Sequence, residues 1–169
     1  MTKQAEASIT IRATAQDLWL MVSDVTRMGQ WSPEAEGAEW LDGATGPAVG
    51  ARFKGHNRRG KAKWSTTCQV TACEPGRRFA FSVGRPDRPT TRWSYSFEPA
   101  DDGATTTTES FELVKHLGFG SRLVTRLTTG VRDREADLKE GMVTTLERLK
   151  AAAERAPRAG DVGRAGESA

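Results

Sequence analysis

The side chains best suited to proton transfer or nucleophilic work in this 169-residue chain are Glu109, Tyr95, His56, His116, Cys68 and Cys73. Acid and base catalysis needs titratable groups held together with shifted pKa values. Glu109 is the first candidate. The β-branched run at residues 105–108 reads as the start of a strand in which Glu109, Phe111 and Leu113 share a face, so an inward Phe111 carries Glu109 inward with it. The plain structural reading of Glu109 is a carboxylate at a sheet end, paired with an arginine. Tyr95 is the second candidate, because a buried hydroxyl needs a partner and an inward polar tip can orient a guest in an apolar cavity. His56 falls in a basic hairpin and His116 in a glycine-flanked loop, and both read as surface residues. No Gly-x-Ser-x-Gly elbow, phosphate-binding glycine loop or dinucleotide fingerprint is present. No catalytic residue is assigned, and Glu109 and Tyr95 stand as candidates only.

Cys68 and Cys73 lie an odd number of positions apart within what reads as one strand, so they are expected on opposite faces. A disulfide would need their Cβ atoms within about 4.5 Å, which an extended backbone denies. Both are expected to be buried, reduced thiols. With two histidines and no Cys-x-x-Cys, the sequence offers no metal site, and no cofactor is expected.

The elements that must position these groups are written in the spacing of the aromatic residues. Trp93, Tyr95 and Phe97 occupy every second position, with Arg92, Ser94, Ser96 and Glu98 in the gaps, so the rings line one face of a strand. The same alternation recurs in Phe79, Phe81 and Val83, and in Trp64, Thr66, Cys68 and Val70. Residues 5–11 alternate as a first strand. Thr14 is the predicted N-cap of a short helix over residues 15–25, with Asp17 three positions on and Leu18, Trp19 and Val22 on its apolar stripe. Residues 28–31 can add a turn before Ser32-Pro33 stops it. From 34 to 113, glycine, proline, asparagine and aspartate punctuate five to six short strands, the pattern of an antiparallel meander. Leu123, Val124 and Leu127 then fall at helical spacing within residues 121–129. The longest helical signal spans 131–156, where Leu138, Met142, Leu146 and Leu149 form a narrow apolar stripe. Residues 157–169 carry glycine, alanine and charge without periodicity, so one domain over 1–156 followed by a disordered tail is expected.

Composition agrees with a single soluble domain, at 37% hydrophobic and 28% charged. No apolar run approaches the roughly 18 residues of a membrane span, and the N-terminus lacks the pattern of a secretory signal, so a cytoplasmic protein without membrane insertion is expected. The net charge of +3 fixes no partner. Its distribution is more informative: residues 52–63 carry six basic side chains and no acid, while residues 34–42 carry Glu34, Glu36, Glu39 and Asp42 and no base. Neighbouring strands can pair these charges on an outer face. Because the basic residues alternate with Phe53, Gly55 and Asn57, and the main rings face the other side of the sheet, nucleic acid is not the expected partner.

Strand, short helices, a long antiparallel run and a closing helix together resemble the START-like (SRPBCC) superfamily, in its polyketide cyclase/dehydrase and lipid-transport branch found in many bacteria. The resemblance is carried by Ile11-Arg-Ala-Thr-Ala-Gln-Asp-Leu-Trp19, Asp24 with Gln30-Trp-Ser-Pro33, Pro47-Ala-Val-Gly-Ala-Arg-Phe53, Trp64 with Val70-Thr-Ala-Cys-Glu-Pro-Gly76, and Trp93-Ser-Tyr-Ser-Phe97. It covers roughly residues 5–154. It implies an α+β helix-grip fold, a curved antiparallel sheet wrapped around the long C-terminal helix, with an elongated cavity between them that takes an apolar molecule.

On this chain the implied ligand-binding lining is Phe53, Trp64, Phe79, Phe81, Trp93, Tyr95, Phe97 and Phe111 from the sheet and Leu138, Met142 and Leu146 from the helix. Trp31 and the turn at 28–33 would flank the mouth, together with residues 117–127. Within that set, Trp93 and Phe97 read more readily as core beneath the helix. Trp31 reads as an anchor for its turn as much as a mouth residue. The leading functional expectation is a non-enzymatic binder of a lipid or polyketide-like molecule. The alternatives are a cyclase or dehydratase using Tyr95 and Glu109 in the same cavity, and a regulatory or stress-linked protein acting through a macromolecular partner. Ligand identity, pathway and oligomeric state are not written in the sequence.

Overall fold

The period-two alternation builds seven strands. The computed structural model describes residues 3–114 and 134–155. In chain order these form β1 (Lys3–Ile11), α1 (Ala15–Ser23), a 3-10 helix (Val25–Gln30), β2 (Ala35–Trp40), β3 (Arg52–Arg59), β4 (Ala62–Glu74), β5 (Arg78–Arg85), β6 (Arg88–Pro99), β7 (Thr105–Leu113) and α2 (Arg134–Arg155). The expected helix over 121–129, the loop at 117–127, His116 and the tail at 157–169 lie outside the described residues.

All strands join one antiparallel sheet in the order β1-β7-β6-β5-β4-β3-β2. Consecutive strands are neighbours from β2 to β7, and the first strand returns to pair with the last. The sheet bends around α2, which lies along β1 and β7. This is the α+β helix-grip arrangement.

Local chemistry sets the ends of the short helices. The Thr14 hydroxyl accepts from the Asp17 backbone N–H at 3.1 Å and donates to the Asp17 carboxylate at 2.7 Å, satisfying an otherwise orphaned helix donor. The helix ends at Ser23 rather than at 25, because Asp24 caps a new turn by accepting from the Thr26 N–H and hydroxyl. That 3-10 turn lies against β2. Gly29 permits the approach, since a Cβ there would collide with the Glu36 carbonyl oxygen.

The core has a closed end and an open end. At the closed end Leu18, Trp19, Val22 and Val25 pack with Phe79, Phe97, Leu149 and Ala153. The Trp19 indole N–H finds the Arg78 carbonyl at 3.1 Å, so its burial leaves no unmet donor. At the other end Met142 and Leu146 meet Ala7 and Phe111.

One expectation fails in β4. Ladder pairing shifts between Val70 and Ala72, where a bulge inserts an extra residue. Cys68 pairs with Val83, Val70 with Phe81 and Cys73 with Phe79, so both cysteines face the core side rather than opposite sides. Both are free thiols.

The charge blocks meet as their positions suggest. Arg52 pairs with Asp42 at 3.0 Å, His56 with Glu39 at 3.3 Å and Arg58 with Glu36 at 3.5 Å, across β2, β3 and the turn after β2. These pairs are solvated and contribute little to stability.

Candidate functional site

Between the sheet and α2 lies a cavity of about 500 Å³. Its position follows from how far each apolar row runs toward the closed end. In β6, Trp93 lines the cavity, Tyr95 stands at its inner wall, and Phe97 lies beyond it in packed core. In β5, Phe81 lines it and Phe79 is core. On α2, Leu138 and Met142 line it, whereas Leu146 and Leu149 pack against protein. Each ladder thus runs from cavity into core, and the boundary falls at Tyr95.

At that boundary sits the one buried polar pair of the ladder. β6 and β7 are in register so that Trp93 opposes Phe111, Tyr95 opposes Glu109, and Phe97 opposes Thr107. The Tyr95 hydroxyl donates to Glu109 Oε1 at 2.6 Å, with Tyr95 7% and Glu109 3% exposed. Glu109 Oε2 is buried and has no protein partner among the described residues. Burial pushes the Glu109 carboxyl up to about 8, against the lowering effect of the Tyr95 hydrogen bond. The carboxyl is therefore mostly protonated at neutral pH. Burial, followed by the charge and hydrogen bond of Glu109, raises the Tyr95 phenol well above its usual range. The expected arginine partner of Glu109 is replaced by Tyr95, because the register sets a phenol, not a cation, across from it.

The walls are otherwise largely apolar. Trp93 and Phe111 meet edge to face at 4.9 Å, and Phe53 does the same with Phe81 at 5.2 Å. Cys68 faces the cavity beside Thr66, and burial pushes its thiol up to about 11. Such a thiol is a poor nucleophile. At the rim, Arg59 on β3 forms a two-point hydrogen-bonded ion pair with Asp137 on α2 and lies 3.5 Å from Glu34. This joins the β3–β4 hairpin to the helix and closes part of the cavity's edge. No group of three or more His, Cys, Asp or Glu among the described residues is placed to hold a metal.

Of the twelve residues expected to contact a ligand, Trp31, Phe53, Trp64, Phe81, Trp93, Tyr95, Phe111, Leu138 and Met142 line the cavity. Phe79, Phe97 and Leu146 do not; they fill the core around it. Trp31 serves both roles. It is 2% exposed, closes the 3-10 turn, carries Arg27 over its ring at 5.2 Å, and still faces the cavity. His56 is on the outer rim, bonded to Ser65 and Glu39, away from Glu109. Sequence reasoning left out Arg59 and Asp137, whose meeting depends on a helix 78 positions later in the chain. It also left out Gly141 and Thr145, which widen the helical stripe, each three residues after Leu138 and Met142 respectively and four apart from each other, and were open to detection on that ground.

The fold and the walled cavity define a helix-grip protein. The chain belongs to the family described as polyketide cyclase / dehydrase and lipid transport, whose signature matches residues 2–154. A polyketide-cyclase-like protein from Corynebacterium glutamicum, Cgl2372, is 32% identical, with 92% of this chain and 91% of that one covered and a TM-score of 0.56. The Zhui aromatase/cyclase from Streptomyces sp. R1128 superposes with a TM-score of 0.70 at 18% identity, over 95% of this chain and 98% of its own. A START superfamily protein from Mycobacterium smegmatis gives 0.65 at 16% identity, over 90% and 97%. These last two are likenesses of fold. Among curated proteins no relative matches significantly. No helix among the described residues is long and apolar enough to cross a membrane.

Proposed function

We propose that this protein binds an apolar small molecule, lipid or polyketide-like, in the cavity between sheet and α2. The single observation that carries this reading is a space of about 500 Å³ bounded mainly by Trp, Phe, Leu and Met side chains, with one buried polar pair inside it. A plain core would close such a volume, because empty space lined by apolar groups costs stability. Native mass spectrometry of the protein as purified from cells tests the reading. A retained small molecule, released on unfolding and absent from a variant whose cavity is filled by Thr66→Trp, supports it. A ligand-free protein that also fails to take up apolar probes would count against it.

A second reading is favoured by the state of Glu109. A mostly protonated carboxyl with one oxygen held by Tyr95 and the other unpartnered is arranged as a general acid, and in its ionised form as a base. In a cyclase or dehydratase it would protonate a departing hydroxyl or take a proton next to a carbonyl, with Tyr95 fixing its orientation. Glu109→Gln then lowers turnover by about 10² or more. A protein that only binds keeps its affinity in the same variant.

A further inference from the structure

We propose that the ligand of this cavity is an uncharged, largely apolar molecule whose carbonyl oxygen accepts a hydrogen bond from the Glu109 carboxylic acid at Oε2. The inference rests on the binding reading above and names the class of molecule that fits it.

The geometry distinguishes the two oxygens of Glu109. Oε1 accepts from the Tyr95 hydroxyl at 2.6 Å, so the proton of a neutral carboxyl resides on Oε2. Oε2 is buried without a protein partner among the described residues. Buried donors left unmet are rare and costly, and Glu109 is one of the side chains that line the cavity, where a polar group among apolar walls fixes a ligand's orientation. Trp93 and Phe111 stand directly beside the pair on the same face, next in register, so a group reaching Oε2 is flanked by rings.

The charges that the described residues place around the cavity disfavour the other ligand classes. The titratable groups on its walls among the described residues are Glu109, Tyr95, Cys68, Glu34, Arg59 and Asp137. Among the described residues Arg59 is the single cation there, and it is committed to Asp137 and Glu34. Among the described residues, a carboxylate or phosphate head would meet two acids at the rim and a third at the inner wall, with no uncommitted cation. A cationic amine would have to ionise Glu109 where burial opposes charge, and the carboxyl's position near 8 fits the neutral form. A carbonyl asks for none of this. It supplies the missing acceptor while its hydrocarbon remainder lies against the rings.

The test uses the full chain and four matched probes, each a dimethylamino-naphthalene carrying a propionyl, a propyl, a carboxylate or an aminomethyl group. Near neutral pH the propionyl ketone should bind about tenfold more tightly than the propyl analogue and about a hundredfold more tightly than the carboxylate or the ammonium. Emission from the bound ketone should show the red shift of a hydrogen-bonded carbonyl. Glu109→Leu should remove the ketone's advantage and the red shift while the propyl probe still binds. Glu109→Gln, whose amide N–H can replace the Oε2 proton, should keep both and guards against a Leu variant that fails to fold. Equal binding of ketone and propyl probes by the unaltered protein would overturn the inference and leave the cavity reading standing. So would a carboxylate or an ammonium that binds at least as tightly as the ketone. If none of the four binds, the cavity reading falls and this inference falls with it.

Discussion

Replacing Glu109 with glutamine should change how stability depends on pH more than it changes stability itself. In the unfolded chain the carboxyl titrates near 4.5, and in the folded protein burial pushes it up to about 8. Below the lower value both states hold the proton. Between the two, the unfolded state gives up its proton while the folded state keeps it, so stability falls as pH rises until the folded group ionises as well. Each pH unit in that window costs about 1.4 kcal/mol. From about pH 5 to about pH 8, the unaltered protein should therefore lose on the order of 4 kcal/mol relative to Glu109→Gln, a fraction of the 5–15 kcal/mol typical of a domain. Glutamine can keep the Tyr95 hydrogen bond through its carbonyl oxygen and carries no titration, so all other groups cancel in the comparison. Urea unfolding followed by tryptophan fluorescence, run on both proteins across this range, measures the gap. A difference that stays constant with pH, or that shifts in favour of the unaltered protein as pH rises, would refute the assignment of a buried, neutral carboxyl.

Three further outcomes follow from the same packing. Tyr95→Phe leaves Glu109 Oε1 without its donor and should cost about 1–3 kcal/mol, and because that hydrogen bond is what lowers the carboxyl's pKa, the pH-dependent loss should begin at the same pH, set by the unfolded chain, but continue to higher pH and so grow larger. Phe53, 1% exposed with edge-on contacts to Trp40 and Phe81, should cost about 3 kcal/mol when cut to alanine, near the low end for aromatic truncation because it already borders open space. Cys68, buried with its thiol pushed up to about 11, should react with an aromatic disulfide reagent at mildly alkaline pH far more slowly in the folded protein than after urea unfolds the chain, because little of it is thiolate; labelling as fast in native buffer as in urea would contradict its burial.

The parts of the fold that are local in sequence were legible. The alternating rings of β4, β5 and β6, the Thr14 cap and the Leu138, Met142, Leu146 stripe each express a period or a motif that a few neighbouring residues specify. What lay beyond reach was register. The bulge between Val70 and Ala72, which turns Cys73 to the core side, leaves no local mark in a run of small and β-branched residues. The Tyr95–Glu109 pairing depends on how β6 and β7 slide against each other, and it decided which inward polar residue would meet which. The inward direction of Glu109 did follow from Phe111, as the alternation required. The division of Trp93 from Phe97 reflects where α1 and the second half of α2 end, which no strand pattern contains.

The most direct test of a ligand cavity in this protein is a solution NMR titration of the full chain with the propionyl-naphthalene probe. The expected result is a saturable set of shift changes at Phe81, Trp93, Tyr95, Glu109, Phe111 and Met142, with contacts from probe protons to those side chains. Changes confined to the outer face of the same strands, at Arg92, Ser94, Ser110 and Glu112, or no saturable change at all, would contradict it.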